Sequence, residues 1–384
     1  MPVAVQYCAT FLKPEMLHVY RQITGLRAWR AAVICQKREE AERFPFEPVI
    51  RIPKPATHAL RRLWVRQILR QPVKIYRSEA RRIAAEVARL GGRVLHVYFG
   101  HIAVHLLPLL RHPPVPVIVS FHGADAMVDM DKPAYRAAAR EMFSLARLVL
   151  VRSRSLAERI EEAGCPPEKI RIHRTGIPLE RFPFEARKFP EDGAWRFFQA
   201  CRLIPKKGLA TSLRAFAAFA KRYPAARFVI AGEGPLLAEM ERLAGELGIA
   251  EKVAFRGFLS QEALLGEFRS AHAFLHPSEI GADGNQEGVP NSMLEAMATG
   301  LPALATRHGG IPEAVDDGLS GFLVAERDHE ALAGAMLKLA DDPARYAAMG
   351  ATAAQAAAER FEQSRQVATL EGYYAEAAGM AAGV

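Results

Sequence analysis

The sequence predicts an α/β protein made of two doubly wound parallel-sheet domains that face each other across a cleft. Three observations predict it. Short, near-continuously apolar runs alternate with stretches of helical length; the alternation lapses once near mid-chain and then restarts; and 384 residues exceed what one core usually organises. Apolar strands separated by helices belong to sheets covered on both faces.

In the first half the strand candidates are "VAVQYC" near the start, Ala31–Cys35, Val94–Gly100, Val115–Gly123, Leu148–Val151 and Lys169–His173. Helical segments lie between them, such as Ser78–Leu90, with a capping serine and a Gly-Gly pair after it. Residues 176–193, "GIPLERFPFEARKFPEDG", hold no period and are rich in proline and charge, which reads as a linker. Alternation resumes with "WRFFQACRL" and a helix from Gly208, "RFVIAGEG" and a helix from Pro235, "KVAFRGFLS" and a helix from Gln261. Then come "AFLHPS", "PALAT", "GFLV" and helical stretches to the end. The expected division is 1–180, 181–360 and a helical tail, 361–384, that crosses back to the first domain.

Half the residues are hydrophobic and a quarter charged, a soluble globular composition. No apolar run approaches the ~18 residues that span a bilayer, and the start lacks a signal-peptide pattern, so a cytoplasmic protein is expected. Cys8, Cys35, Cys165 and Cys201 are scattered without a Cys-x-x-Cys pair and read as reduced thiols. The net charge of +9 is uneven: residues 1–190 carry 33 Lys/Arg against 17 Asp/Glu, the remainder 18 against 25.

Sheets of this type bind ligands beyond the carboxyl ends of their strands, so those loops hold the candidate site. In "CRLIPKKGL", Arg202 and Lys207 stand beside a helix start at Gly208, a setting suited to a phosphate or diphosphate; a solvated basic turn is the bland alternative. "AGEGP" is a Gly-x-Gly turn that does not complete a dinucleotide fingerprint, because Leu237 occupies the last position. In "EGVPNSMLEAMATGLP", a helix beginning at Pro290 or Asn291 is expected to point its first free amides into the cleft. Glu295, one turn in, leans back toward that end, where a carboxylate can accept from a vicinal diol. Both Glu287 and Glu295 could instead only complement the helix dipole.

The string "CRLIPKKGL…AGEGP…GFLS…EGVPNSMLEAMATGLPALATRHGGIPEAV" resembles the nucleotide-sugar glycosyltransferases of family 4, which have the GT-B fold of two Rossmann-like domains. The insertion before Glu287 is similar to transferases of exopolysaccharide assembly. The resemblance implies that Arg202 and Lys207 neutralise the donor diphosphate and that Glu295 binds the ribose. It places Glu287 at the transferred sugar, with backbone of Gly288, Val289, Pro290 and Asn291 nearby, and puts Gly257, Phe258 and Leu259 along the nucleobase. It also implies transfer with retention of configuration and no bound metal or other cofactor. The loop after the first strand, "CATFLKPEMLHVY", departs from the family's Gly-Gly turn, which leaves Thr10, Lys13 and Glu15 unassigned.

In the first half, "VSFHGAD" puts His122 at a strand end, where an imidazole can donate to a sugar hydroxyl or to charge on a leaving phosphate; it resembles the family's cleft histidine. "LHVYFGHIAVH" brings His96, Tyr98, Phe99 and His101 to another strand end. They are candidates to stack on an acceptor sugar, or are core. Residues 56–93 contain ten Lys/Arg and two acids. A helix over 58–70 would collect Leu60, Leu63, Trp64 and Ile68 on one side and Arg62, Arg66 and Arg70 on another, a pattern suited to an anionic membrane surface. The alternative is an ordinary helix whose apolar side faces its own domain.

The expected function is therefore transfer of a hexose from a nucleoside diphosphate sugar to a saccharide or lipid-linked saccharide in exopolysaccharide or envelope glycan synthesis. Its partners would be that donor, that acceptor and a membrane surface, without nucleic acid. The rivals are an epimerase or phosphorylase of the same fold, or a non-catalytic membrane or nucleic-acid binder.

Overall fold

The computed structural model describes residues 1–380 apart from Pro14, Glu15, Met127, Ala282, Asp283 and Asn285. Glu15, and three residues of the insertion before Glu287, thus lie outside the described residues. The chain forms two compact units: residues 1–176 with 363–384, and residues 177–362.

Unit 1 contains a seven-stranded parallel sheet: β1 (Val3–Phe11), β2 (Arg30–Arg38), β3 (Val49–Arg51), β4 (Gly92–Tyr98), β5 (Val117–Ser120), β6 (Leu148–Val151) and β7 (Ile170–Ile172). Its order is β3-β2-β1-β4-β5-β6-β7, so the winding reverses between β1 and β4. Successive strand residues alternate between two buried faces. Val5, Leu95, Val117 and Val149 pack under the helices Arg77–Arg89 and Pro133–Leu145. Their neighbours Ala4, Val94, Ile118 and Leu148 pack against Leu370 and Tyr374 of the helix Gln363–Ala378.

The helix Arg77–Arg89 starts one residue before Ser78. Glu79 caps it by accepting from the Tyr76 N–H at 2.9 Å, so the serine is not the cap. The helix His58–Gln67 stops short of Arg70.

Unit 2 contains β8 (Arg196–Ala200), β9 (Arg227–Ala231), β10 (Val253–Phe255), β11 (Ala273–His276), β12 (Ala303–Thr306) and β13 (Gly321–Val324) in the parallel order β10-β9-β8-β11-β12-β13. Again two cores lie on opposite faces. Phe197, Phe228 and Leu275 meet the helices Leu209–Arg222 and His329–Ala340, while Phe198, Val229 and Phe274 meet Asn291–Ala298 and Pro343–Phe361. The proline-rich segment between β7 and β8 is not loose, for Ile177 and Phe182 are buried in the second of these cores.

One carboxylate of the helix Gln363–Ala378 gathers three backbone amides of unit 1. Glu371 Oε1 accepts from the backbone N–H of Arg27, Ala28 and Trp29 at 2.7, 2.7 and 2.9 Å, and the Trp29 ring meets Tyr374 edge-on. Glu371→Ala leaves three amides without an acceptor. It should cost about 2–4 kcal/mol and lower the unfolding temperature of unit 1 by about 5–10 °C in calorimetry. An unchanged transition would show that the helix is not docked through this residue.

Candidate functional site

In unit 2 the winding reverses between β8 and β11, and the loops leaving those strands carry the candidate residues. The β8 loop forms a single 3₁₀ turn, Pro205–Lys207, ended by Gly208 at φ +61°. A Cβ at Gly208 would lie 1.8 Å from the carbonyl oxygen of Pro277, so only glycine lets the β8 and β11 loops touch. Gly309, in the β12 loop, closes the site in the same way: its φ is +54°, and a Cβ there would lie 2.1 Å from the Glu287 carbonyl.

Glu287 is the centre of this arrangement. Its Oε1 lies 2.8 Å from Lys206 Nζ and 2.8 Å from Lys207 Nζ, with all three side chains about one-tenth exposed. Burial pushes its carboxyl upward, but Lys207 and then Lys206 more than reverse this and hold it well below the usual carboxylate range. The cluster is a buried set of two cations and one anion, and the exposed Arg202 stands in the same loop. His276, the last residue of β11, is fully buried beside it. Burial first, then Lys207, push its imidazole down to about 3, so it is neutral.

The backbone of Glu287 is also fixed. Its N–H donates to His308 Nε2 at 3.0 Å, which leaves Nδ1 to carry the ring proton toward Glu326 Oε1 at 2.6 Å. Glu326 in turn accepts from the Ile280 N–H at 2.8 Å. Gly310 N donates to Gly288 O at 3.2 Å, tying the β12 loop to the segment before the helix.

That helix spans Asn291–Ala298 with Pro290 at its N-cap. Ser292 Oγ donates to Ala200 O at 2.7 Å and fastens the first turn to the end of β8. Glu295 is buried one turn in. Among the expected amides of residues 288 to 291, Pro290 has none, so its part is to start the helix and not to donate. Val289 is buried under the turn. Beyond β10, Gly257 O accepts from Gly232 N at 2.7 Å. Leu259 is half-buried, and Phe258 is 65% exposed, its ring free to meet a flat partner.

Three residues of this cluster escape the sequence reading. Lys206 adjoins Lys207, and neighbouring side chains diverge in a regular helix or strand; the 3₁₀ turn brings both to one carboxylate. His308 and Glu326 lie 21 and 39 positions beyond Glu287; the "RHGGIPE" string holds His308, and no motif marks Glu326.

In unit 1 the half-buried His122 follows β5. Asp125 accepts from His122 N at 2.7 Å and Gly100 N at 3.0 Å, joining the ends of β5 and β4. The His122 ring touches His18 Nε2 through Nδ1 at 3.0 Å and Ser120 Oγ through Nε2 at 3.0 Å. Arg152 Nη2 lies 3.3 Å from Nδ1. The same Nη2 lies 3.5 Å from Nε2, so the guanidinium faces both ring nitrogens. Burial, then Arg152, keep this imidazole neutral. A sugar hydroxyl that bonds to His122 must therefore displace His18 or Ser120.

Two expected acceptor contacts are corrected. His96 and Tyr98 are fully buried: His96 Nδ1 bonds to Tyr374 Oη at 2.8 Å, and Tyr98 Oη donates to Gln6 Oε1 at 3.1 Å, so neither can reach a ligand. Phe99 and His101 stay half-buried at the strand end, with the Phe99 ring 4.7 Å from that of His122. Phe99 adopts φ +74°, a strained backbone for a bulky residue beside the candidate histidine.

Glu287→Gln should destabilise unit 2 by about 3–5 kcal/mol, because two buried lysines lose their counter-charge. Combining it with Lys206→Gln should cost less than the sum of the two single changes. Because the folded-state ionisation of Glu287 is depressed, its contribution is complete at pH 7 and is lost as pH falls through and below the ordinary carboxylate range. Urea titrations of the variants at pH 7 and pH 4 read both effects; additive single changes would contradict the coupling.

The family model described as "Glycosyl transferases group 1" matches residues 182–356, and that described as "Glycosyltransferase Family 4" matches residues 17–181. The chain is 35% identical over 213 residues to the putative colanic acid biosynthesis glycosyltransferase WcaL of Salmonella typhimurium, covering 56% of this chain and 52% of that one. It thus spans about half the length of that relative. It is 33% identical over 297 residues to the GDP-mannose-dependent alpha-(1-6)-phosphatidylinositol monomannoside mannosyltransferase of Mycolicibacterium smegmatis, covering 74% of this chain and 77% of that one. In fold it matches Anabaena HepE, solved with UDP, at a TM-score of 0.78 and 17% identity over 98% of this chain and 100% of that one. The chain belongs to glycosyltransferase family 4, with two Rossmann-like units of the GT-B type.

Proposed function

We propose that the protein is a retaining glycosyltransferase that moves a hexose from a nucleoside diphosphate sugar to a hydroxyl of a saccharide or lipid-linked saccharide, in exopolysaccharide or envelope glycan synthesis. The observation that carries this reading is the Lys206–Glu287–Lys207 cluster at the winding reversal of unit 2, followed in the chain by a helix start that carries Glu295 one turn in. Family membership supports the reaction class, and the WcaL relative's name supports the setting.

The donor's diphosphate gains negative charge as the anomeric bond breaks. Lys207 and Arg202 stabilise that charge more in the transition state than in the ground state, which is what accelerates the step. Glu287 holds Lys207 in place and accepts from hydroxyls of the transferred sugar, and Glu295 accepts from the ribose. Phe258 stacks on the base beside Gly257 and Leu259. The acceptor oxygen bonds to the anomeric carbon on the face the phosphate leaves, and its proton passes to the departing phosphate. His122 orients, and it stays neutral while doing so. The lysines and arginine supply the positive charge at the diphosphate, so the reaction needs no bound metal.

The helix His58–Gln67 adds a membrane surface to this proposal. Its apolar side does not face its own domain: Leu60 is 78% exposed, Trp64 55% and Ile68 68%, while Val65 and His58 point inward. No helix among the described residues is long and apolar enough to cross a membrane. Beside ten basic residues, such a face rests on an anionic bilayer at the cytoplasmic side.

Thermal-shift screening with UDP-, GDP- and ADP-sugars should find at least one donor that stabilises unit 2, and turnover of that donor should persist in EDTA. Glu295→Ala should mainly weaken nucleotide binding by about tenfold or more, and Glu287→Ala, assayed well below its lowered unfolding temperature, should mainly lower kcat. No stabilising donor, or equal binding losses in both variants, would sink the reading. Separately, the protein should sediment with phosphatidylglycerol vesicles and not with neutral ones, and Leu63→Ser with Trp64→Ser should release it; equal sedimentation with both vesicle types would remove the membrane from the proposal.

A further inference from the structure

The carboxylate of Glu326 and the ring of His308 together hold two backbone amides that stand seven positions apart, those of Ile280 and Glu287. Glu326 Oε2 accepts from the Ile280 N–H at 2.8 Å, Glu326 Oε1 faces His308 Nδ1 at 2.6 Å, and His308 Nε2 accepts from the Glu287 N–H at 3.0 Å. A backbone N–H only donates, so Nε2 presents its lone pair and Nδ1 carries the ring proton. The carboxylate selects that tautomer by accepting from Nδ1. Burial pushes the Glu326 carboxyl up, but the Ile280 N–H and then His308 more than reverse this and keep it ionised near neutral pH.

Both members of the pair are themselves fixed. His308 is fully buried, and its own N–H donates to Thr306 O at 2.8 Å at the end of β12. Arg307 N donates to Val324 O at 2.8 Å, which ties the β12 loop to the end of β13. Glu326 follows β13 by two residues and precedes Asp328, whose side chain caps the helix His329–Ala340 by accepting from the Ala331 N–H at 2.8 Å. Arg327, between them, reaches the Ile280 peptide as well: its Nη2 donates to Ile280 O at 3.2 Å, and its Nε lies 3.3 Å from Glu279 Oε1. Glu279 N in turn donates to Lys206 O at 2.9 Å, so the grip on Ile280 extends to the lysine turn.

Glu287 is thus held in two ways, by the lysines on its side chain and by His308 on its backbone. The first hold weakens when Lys207 turns to a diphosphate. The second involves no lysine and persists. A carboxylate that reads sugar hydroxyls is then placed by its backbone, and a displacement of about 1 Å in such a group can cost about a hundredfold in rate.

We propose that His308 and Glu326 are positioning residues for the transfer: they fix the Glu287 backbone so that its carboxylate stays against the transferred sugar once Lys207 has engaged the diphosphate. The inference rests on the transferase reading above and adds to it two residues that act through Glu287.

Amide hydrogen exchange, nucleotide binding and turnover, all measured on the full chain, test it. Glu326→Ala, at a side chain 29% exposed, should speed exchange at the Ile280 and Glu287 amides by about tenfold or more. It should lower kcat by about tenfold and change the affinity for UDP or GDP, whichever the parent binds, by less than about twofold. Glu326→Gln keeps an acceptor for only one of its two N–H partners and should fall between. His308→Gln, whose amide oxygen can accept from the Glu287 N–H, should retain more kcat than His308→Leu. In a Glu287→Ala background, Glu326→Ala should alter kcat by less than about twofold, because the residue it positions is gone. A general loss of folding would lower kcat by the same factor in both backgrounds. Unchanged exchange at Glu287 in Glu326→Ala would overturn the proposal. So would equal kcat losses in the two backgrounds, or a loss of nucleotide affinity as large as the loss of kcat. Faster exchange in a protein that turns over no nucleotide sugar would leave the clamp standing and remove the transferase reading with the role built on it. A parent that turns over a donor, with kcat indifferent to Glu326→Ala, would keep that reading and remove this one.

Discussion

The carboxylate of Glu287 between two lysines is the interaction on which the unit 2 site depends. Burying three charges is costly unless each has a partner at hydrogen-bond distance, and this cluster meets that condition only if three loops converge. The β8 loop delivers both lysines through one 3₁₀ turn, and the β11 loop delivers the acid. The β12 loop fixes the acid's backbone through His308. Gly208 and Gly309 are where those loops come too close for any side chain. The same loops aim a helix start and Glu295 at the same end of the sheet, so one electrostatic requirement orders most of the candidate donor site.

Unit 1 answers a different requirement at its own strand ends. Arg152 is buried, donates to Gln22 Oε1 and the His173 carbonyl, and lies against the rings of His122 and His173. With a fixed guanidinium in their midst, His122 and His173 are held neutral, burial being the larger cause in each. A second set of bonds, among Gln6, His96, Tyr98 and Tyr374, joins β1 and β4 to the helix Gln363–Ala378. Those bonds explain why His96 and Tyr98 stand in these strands without lining a ligand site.

The parallel sheets were legible because buried strands must be apolar on both faces, and runs such as "LVLV" admit few other readings. The strand Val49–Arg51 was not legible: two half-buried residues and an exposed one at the sheet edge carry no period. Glu287, Glu295, Lys207 and Arg202 could be named from local motifs, since loop and helix start sit within one stretch of chain. Lys206, His308 and Glu326 could not, because their roles come from a turn geometry and from contacts across loops. His96 and Tyr98 misled for a related reason: their partners lie 278 and 92 positions away, and a satisfied core group looks the same in sequence as an exposed one. The helix His58–Gln67 showed its apolar stripe in sequence, but only the inward packing of Val65 reveals that the stripe faces out.

The lysine–glutamate cluster at the β8–β11 reversal is proposed as the seat of a nucleoside diphosphate sugar. A crystal structure of the protein with such a donor tests it most directly. The account predicts diphosphate oxygens on Lys207 and Arg202, the ribose on Glu295 and a sugar hydroxyl on Glu287. A donor bound at another strand end, with Lys206 and Lys207 still closed on Glu287 and no phosphate beside them, would contradict it.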